Sequence, residues 1–376
     1  MSLPCGICGA FAAENEQFLT RQLITYIGNK RRLLGFIGCG VAKVRKNLGK
    51  SKLDILDVFS GSGAVSRYFK QFSEQLITND LEEYAAVINR CYLSNKSELD
   101  IPALETFYDW LIDNLQDEKL ESGMITEMYA PRDEADIQKD ERVFYTIRNA
   151  KYIDTARRLI GTLPKNVQHF FLAPLLSEAS IHSNTSGIFK GFYKNSETKI
   201  GQFGGKNQDA LSRIKGNIVL PFPVFSNFTA AVQVHNTDSN TLIQKLPEAD
   251  LAYLDPPYNQ HPYGSNYFML NLILDYQRPE SVSRISGIPD NWNRSPYNKH
   301  QFAYETLKAL VTEIQAKYVL ISFNSEGFIK LEEMKAMLDK AGKVEILETN
   351  YNTFRGSRNL RSRDIHVTEF LYLLSK

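Results

Sequence analysis

The hydrophobic pattern divides the chain into short apolar runs that end in polar or glycine-rich turns. Residues 53–59, 75–78, 231–235, 251–254 and 318–323 have the length and composition of buried strands. Helical periodicity or a helical turn follows most of these runs. Strands that alternate with helices in this way predict an α/β fold with a doubly wound, Rossmann-like sheet.

The middle of the chain and its end depart from this alternation. Residues 344–349 and 369–374 are predicted to be the last two strands and to pair antiparallel. The pattern therefore predicts a sheet domain built from residues 20–95 and 230–376. Residues 96–229 are predicted to be an inserted, largely helical region.

A glycine turn follows the first predicted strand, with the sequence Phe59-Ser-Gly61-Ser-Gly63. Glycines at such a turn let a ligand approach the backbone at the carboxyl end of the strand. The turn lacks the third glycine of the dinucleotide motif, because Ser66 stands in its place. It therefore suits a compact nucleoside with a charged amino-acid tail better than a pyrophosphate.

An acidic residue, Asp80, ends the second predicted strand about 20 residues after the glycine turn. A carboxylate in that position can accept hydrogen bonds from ribose hydroxyls. The alternative is a helix-capping aspartate, and one side chain can serve both purposes.

The run over residues 251–254 ends in Asp255-Pro-Pro-Tyr258. Two prolines stop both a helix and further strand pairing, so this end is fixed. The Asp255 carboxylate and the Pro256 carbonyl can accept the two N–H bonds of an amino group on a planar base, while Tyr258 stacks on its ring. The ordinary alternative is that Pro256 and Pro257 merely end the strand and that Asp255 caps the next element.

Composition adds only limits: the chain has 376 residues, of which 43% are apolar and 23% charged. No apolar run approaches the ~20 residues of a membrane span, and no secretory signal is visible. Four cysteines in this length indicate a reducing compartment, so we expect a cytoplasmic protein without a membrane contact. Cys5 and Cys8 form a lone C-x-x-C without a second pair, so no metal is expected.

Charge is segregated although the net charge is only +1. Residues 30–52 carry eight Lys or Arg and no acidic residue, and residues 355–363 carry four arginines. Such runs permit contacts with phosphates. For either run taken alone, an ordinary solvated surface is the better explanation.

Four blocks in this order, Tyr26-x-Gly-x-Lys30, Phe59-x-Gly-x-Gly63, Asp80 and Asp255-Pro-Pro-Tyr258, resemble the adenine-N6 DNA methyltransferases of the Dam-like, type II restriction–modification group. Further blocks are similar to that group as well: Asn184-Thr-Ser-Gly, Tyr263-Gly-Ser-Asn-Tyr267, Ser322-Phe-Asn-Ser-Glu-Gly327 and Thr353-Phe-Arg-Gly-Ser-Arg-Asn359.

The resemblance implies a cofactor, S-adenosyl-L-methionine, and roles for named residues. Tyr26 and Lys30 would contact the cofactor, Lys30 near its carboxylate. The turn of Phe59, Gly61 and Gly63 would line its methionine and ribose parts.

In the same way Asp80 would accept from the ribose hydroxyls and Asp238 from the adenine amino group of the cofactor. Asp255 would face both the cofactor and the target amino group, with Pro256, Pro257 and Tyr258 completing the catalytic motif.

The resemblance also implies double-stranded DNA as the substrate, a recognition role for the inserted region, and a separate cognate restriction endonuclease as a candidate partner. Residues expected to contact DNA are Lys190, Lys194, Tyr267, Arg355, Arg358 and Arg361. Methylation of adenine N6 in RNA or of cytosine N4 in DNA stays an alternative, although cytosine-N4 enzymes usually carry Ser where Asp255 stands. The remaining alternative is a DNA-binding protein that has no catalytic activity.

Overall fold

Seven strands form one sheet in the computed structural model, which describes residues 14–206, 208–352 and 366–376. The strands along the chain are β1 (Leu53–Asp57), β2 (Ser73–Asn79), β3 (Ala231–His235), β4 (Ala249–Leu254), β5 (Ala316–Asn324), β6 (Lys343–Asn352) and β7 (His366–Ser375). Their order in the sheet is β3-β2-β1-β4-β5-β7-β6. Cys5 and Cys8, and the arginines at 355, 358 and 361, lie outside the described residues.

The pairing of the strands confirms the predicted fold class. β1 to β5 pair parallel with one another. β7 lies between β5 and β6 and pairs antiparallel with both. The antiparallel pair predicted at the end of the chain is therefore present. The order reverses between β1 and β4, which creates the crevice where ligands bind in doubly wound sheets.

Helices cover both faces of the sheet and build most of the inserted region. They are α1 (Glu16–Thr20), α2 (Leu34–Leu48), α3 (Ala64–Lys70), α4 (Glu83–Tyr92), α5 (Ile101–Asn114), α6 (Met124–Tyr129), α7 (Ile147–Thr162), α8 (Lys165–Ile181), α9 (Leu211–Lys215), α10 (Ser239–Leu242), α11 (Tyr263–Asn266), α12 (Phe268–Asp275), α13 (His300–Glu313) and α14 (Leu331–Leu338). Sequence analysis did not predict α13 and α14. A membrane-spanning helix, long and apolar enough for a bilayer, is not found in the described part of the chain.

The two faces of the sheet bury separate hydrophobic clusters, because side chains alternate along each strand. Ile55 and Leu251 face one cluster, together with side chains of α3, α4 and α8. Leu56 and Ala252 face the other cluster, which α13 and α14 close. The central strands β1 and β4 are thus buried on both faces, as in other parallel sheets.

The inserted region shares the first of these clusters and does not bury a separate core. Helix α8 packs against α4 and α12, and α7 packs against α8. Aromatic side chains of the insertion, Tyr129 and Phe144, contact Phe268 of α12. A role of residues 96–229 in DNA recognition stays a prediction.

One carboxylate, Asp154 of α7, ties the insertion together. It is fully buried and accepts hydrogen bonds from the backbone N–H groups of Gly123, Ile125 and Thr126, at 2.8–2.9 Å. The hydroxyls of Thr126 and Tyr276 donate to the same carboxylate at 2.6 and 2.7 Å. Asp154 therefore caps the start of α6 and links it to α7 and to the end of α12.

We expect Asp154→Asn to lower the free energy of unfolding by about 2–4 kcal/mol, because the amide cannot accept all five bonds and leaves buried donors without a partner. The midpoint of urea unfolding, followed by circular dichroism, measures the loss. Asp113→Asn, which changes an exposed carboxylate of α5, is the control and should alter the midpoint little. An unchanged midpoint in Asp154→Asn would contradict this role.

Candidate active site

A crevice opens at the carboxyl ends of β1 and β4, where the strand order reverses. It has about 890 Å³ of space between its walls, which includes space that is open to solvent. The walls include most of the predicted catalytic and cofactor-binding residues, namely Tyr26, Lys30, Phe59, Gly61, Asp80, Asp238, Asp255 and Pro257. Sheet topology therefore brings together residues that are up to 231 positions apart in the chain.

The glycine turn after β1 is shaped by a close approach of Tyr26. Gly61 has a φ of +49°, and a Cβ atom there would lie 2.8 Å from the Tyr26 ring. Gly63 has a φ of +73°, and its Cβ would lie 2.6 Å from Asn89 Oδ1. Larger residues would meet both backbone strain and a clash. Glycine is required here by the fold of the crevice, before any ligand is considered.

Tyr26 stands in a stack of three tyrosines. Its ring centroid is 5.0 Å from that of Tyr263 and 4.8 Å from that of Tyr267. The Tyr263 hydroxyl donates to the Ile27 carbonyl at 3.1 Å, and the Ile27 N–H donates to the Tyr267 hydroxyl at 2.7 Å. Both ends of α11 thus fix the Tyr26–Lys30 loop over the crevice.

Tyr267 was expected to contact DNA, and the structure corrects this expectation. The side chain is fully buried and its hydroxyl is used by the Ile27 N–H, so it positions the crevice loop instead. Lys190 is exposed, and Lys194 is half-buried with its ammonium 4.6 Å from the centre of the Phe192 ring. A DNA contact of these two lysines stays a prediction.

Acidic side chains dominate the far end of the crevice. Asp80 accepts from the backbone N–H groups of Gly61 and Glu82, at 2.8 and 2.9 Å. Burial raises the pKa of Asp80 to about 6, although these hydrogen bonds oppose the shift. Burial likewise raises the pKa of Glu82 to about 7, and Asp80 adds to this shift. Glu82, which sequence analysis missed, accepts from Asn271 at 2.7 Å.

Asp238 and Phe59 line the wall between β3 and β1. Asp238 caps α10, because its carboxylate accepts from the Thr241 N–H at 3.0 Å. Phe59 packs edge-to-face on Tyr297, with 5.2 Å between the ring centroids. Residues 293, 295, 297 and 298 of the loop after α12 complete this wall. Sequence analysis missed this loop, since its polar and aromatic residues follow no recognisable motif.

Asp255-Pro-Pro-Tyr258 leaves the end of β4 at the near end of the crevice. The Asp255 side chain is 17% exposed, so one side of it remains accessible from the crevice. Tyr258 is largely buried and packs edge-to-face on Phe323, with 5.7 Å between the ring centroids. Asp255 and Pro257 of the motif line the crevice, and a role of the motif as the acceptor for an amino group stays a prediction.

Lys30 faces this motif rather than open solvent. Its ammonium lies 3.0 Å from Asp255 Oδ1 and 3.4 Å from Glu369 Oε1, and its side chain is 3% exposed. Burial opposes the charge of Lys30, but the two carboxylates raise its pKa well above the usual value. Burial raises the pKa of Asp255 to about 6, which Lys30 opposes. The structure thus pairs Lys30 with two carboxylates of the protein, whereas the resemblance places it near the carboxylate of the cofactor, and that contact stays a prediction.

Metal ligation is not indicated in this crevice. Within residues 14–206, 208–352 and 366–376, no group of three or more His, Cys, Asp or Glu side chains is arranged to hold a metal ion.

Comparison with known proteins identifies the family. The profile of the D12 class N6 adenine-specific DNA methyltransferases matches residues 26–337, which include the glycine turn and the Asp255 motif. The chain belongs to this family. The predicted class of enzyme, an adenine-specific DNA methyltransferase, is confirmed.

Curated relatives extend over nearly the whole chain. The type II methyltransferase M.NlaIII of Neisseria lactamica is 27% identical over 361 residues, which are 94% of this chain and 99% of that protein. M.CviAII of Paramecium bursaria Chlorella virus 1 is 28% identical and covers 93% of this chain and 98% of its own length. M.FokI of Planomicrobium okeanokoites is 25% identical, and the match covers 52% of that longer protein.

We expect Tyr267→Phe to loosen the Tyr26–Lys30 loop, because the Ile27 N–H then loses its buried acceptor at a cost of about 1–3 kcal/mol. Hydrogen exchange of the Ile27 amide should become at least about 10-fold faster. Tyr145→Phe is the matched control, since no described residue hydrogen-bonds to this buried hydroxyl. Equal exchange rates in the two variants would show that the hydroxyl does not hold the loop.

Proposed function

We propose that this enzyme transfers a methyl group from S-adenosyl-L-methionine to N6 of an adenine flipped out of duplex DNA. The observation that carries the proposal is the position of Asp255, which lines the same crevice as the glycine turn and Asp80. An acceptor for an amino group and a nucleoside-sized site therefore share one cavity. Family membership supports DNA adenine as the target.

The charged residues of the crevice fit this cofactor. Three carboxylates, Asp80, Glu82 and Asp238, line it beyond Asp255, and Lys30 is the one cation among its described lining residues. Because Lys30 is paired with two carboxylates, the remaining wall is electronegative and suits a cationic ligand. Asp80 and the backbone of the glycine turn would hold the ribose, and Asp238 the adenine part.

We infer that catalysis depends mainly on positioning. When bound, S-adenosylmethionine supplies an electrophilic methyl group on a sulfonium. The Asp255 carboxylate and the Pro256 carbonyl accept the two N6–H bonds, which turns the nitrogen lone pair away from the base plane. No strong base is required, because the N6 proton becomes acidic only as the new bond forms. Oriented acceptors beside the developing positive charge lower the barrier.

The adenine has to leave the duplex before it can reach this crevice, because its N6 is stacked and out of reach of the donor. Flipping costs a few kcal/mol, which stacking on Tyr258 and contacts with phosphates offset. Lys190 and Lys194 of the insertion are the described residues that we propose for the phosphate contacts. We also propose that the enzyme acts in the cytoplasm as the modification partner of a separate restriction endonuclease.

We expect Asp255→Asn to lower kcat for DNA methylation at least about 100-fold, because one acceptor of the target amino group becomes a donor. Transfer of a labelled methyl group to duplex DNA, followed by nucleoside analysis, measures the rate and identifies the methylated atom. Asp250→Asn is the matched control: Asp250 is a buried carboxylate on the same strand, paired with Lys50 and Lys317 outside the crevice. Label in N4-methylcytosine, or in RNA alone, would refute the proposed target.

We expect kcat/KM for DNA to fall below a pH of about 6, since burial raises the pKa of Asp255 to about 6 and only the ionised form accepts the amino group. The folded pKa lies above that of a free carboxyl, so activity is full at higher pH and is lost as pH falls. The profile is measured at a saturating concentration of the methyl donor. Titration of Asp80 and Glu82 then does not change the rate through donor binding. A flat profile down to a pH of about 5 would contradict this assignment.

A further inference from the structure

Three charged side chains form a chain behind the proposed acceptor: Asp255, Lys30 and Glu369. The Lys30 ammonium bridges the two carboxylates, at 3.0 Å from Asp255 and 3.4 Å from Glu369. Both Lys30 and Glu369 are almost fully buried, with exposures of 3% and 1%. Charges with so little water are weakly screened, so their sum matters for the reaction beside them.

Glu369 is fixed in the sheet and does not line the crevice. It lies on β7, paired with Asn324 of β5, and its Oε1 accepts from the Ser322 hydroxyl at 2.5 Å. No hydrogen-bond partner for its Oε2 is found among the described residues. A buried carboxylate with one unpaired oxygen is costly, and its presence beside an active-site lysine calls for an explanation.

The total charge of Asp255, Lys30 and Glu369 supplies this explanation. Lys30 and Asp255 alone form a neutral pair, and the lysine would stand next to an amino group that becomes positive during methyl transfer. With Glu369 the three groups carry a net charge of −1. Glu369 also gives the ammonium a second acceptor, so that Asp255 does not balance its charge alone.

We propose that Glu369 is a positioning residue for methyl transfer, which acts through Lys30 to keep Asp255 available as an acceptor and the site net negative. The inference rests on the proposed function, since it assigns a role at the same site. The alternative is a structural role, in which Glu369 only compensates the buried charge of Lys30.

Glu369→Gln is the first test. The change keeps the shape and the acceptor for Ser322, but leaves the three groups neutral. We expect kcat to fall about 10–100-fold, with the KM for DNA and the affinity for S-adenosylmethionine within about threefold of the parent enzyme. Asp250→Asn is the control, because it changes another buried carboxylate that is paired with lysines, and it should leave kcat unchanged. A parental kcat in Glu369→Gln overturns the proposal.

The double variant Lys30→Met/Glu369→Gln separates charge balance from structure. It restores the net charge of −1 on Asp255 alone, so kcat should rise at least about fivefold above that of Glu369→Gln. A purely structural role predicts that the two losses add or that the double variant is slower still. That outcome also overturns the proposal.

The acid limb of the pH profile of kcat/KM gives an independent test of the proposal. Glu369 raises the pKa of Asp255 and Lys30 lowers it, so the limb should move to lower pH in Glu369→Gln and to higher pH in Lys30→Met. Other groups that interact electrostatically with Asp255 are unchanged in both variants, namely Asp57, Tyr253 and Tyr263. Shifts in the same direction in both variants would contradict the charge chain.

Ser322→Ala is a second variant that keeps every charge and serves if Glu369→Gln does not fold. Removal of the hydroxyl releases Glu369 from its fixed position, and we expect kcat to fall about 2–10-fold with the acid limb retained. An unchanged kcat counts against the proposal. Failure of the proposed function is distinguishable, because the parent enzyme would then methylate no adenine at all.

Discussion

The reversal of strand order between β1 and β4 is the constraint on which the active site depends. Because the two strands are adjacent and parallel, with Ile55 opposite Leu251, their carboxyl ends meet at one edge of the sheet. The connection after β1 packs α3 on one face of the sheet, whereas the connection after β4 also places α13 on the other face, and a crevice opens between them. The glycine turn and the Asp255 motif are thus neighbours in space although about 190 residues separate them.

A second constraint comes from the segment before the sheet. The Tyr26–Lys30 loop precedes β1 in the chain, yet α11, which follows β4, holds it through Tyr263 and Tyr267. This clamp carries Lys30 to the point where β4 and β7 can each supply a carboxylate. A loop on the surface of the sheet thereby acquires a buried charge, and its conformation becomes part of the catalytic geometry.

Strands, the glycine turn and the acceptor motif were predictable, because each is encoded within a few consecutive residues. Helix α13 carries an equally local signal, with Ala303, Leu307, Leu310 and Val311 buried at helical spacing, and was missed only for lack of a flanking motif. Tyr267 was misassigned because an aromatic residue in a polar loop block has the same local pattern whether it faces DNA or the core.

The role of Lys30 could not be predicted, for a different reason. Its partners come from β4 and β7, so the contact exists only after the sheet has formed. Glu369 is recognisable in the sequence as a single acidic residue within an apolar strand. Such a residue indicates a buried charge that needs a partner, although it does not identify that partner.

Charge separation links the crevice to its substrate. The walls of the crevice carry several carboxylates. Burial and the exposed Lys190 lower the pKa of His261, which lies three residues after Tyr258. We propose that the carboxylates of the interior repel phosphates, so that a neutral base can enter the crevice while its own backbone stays outside.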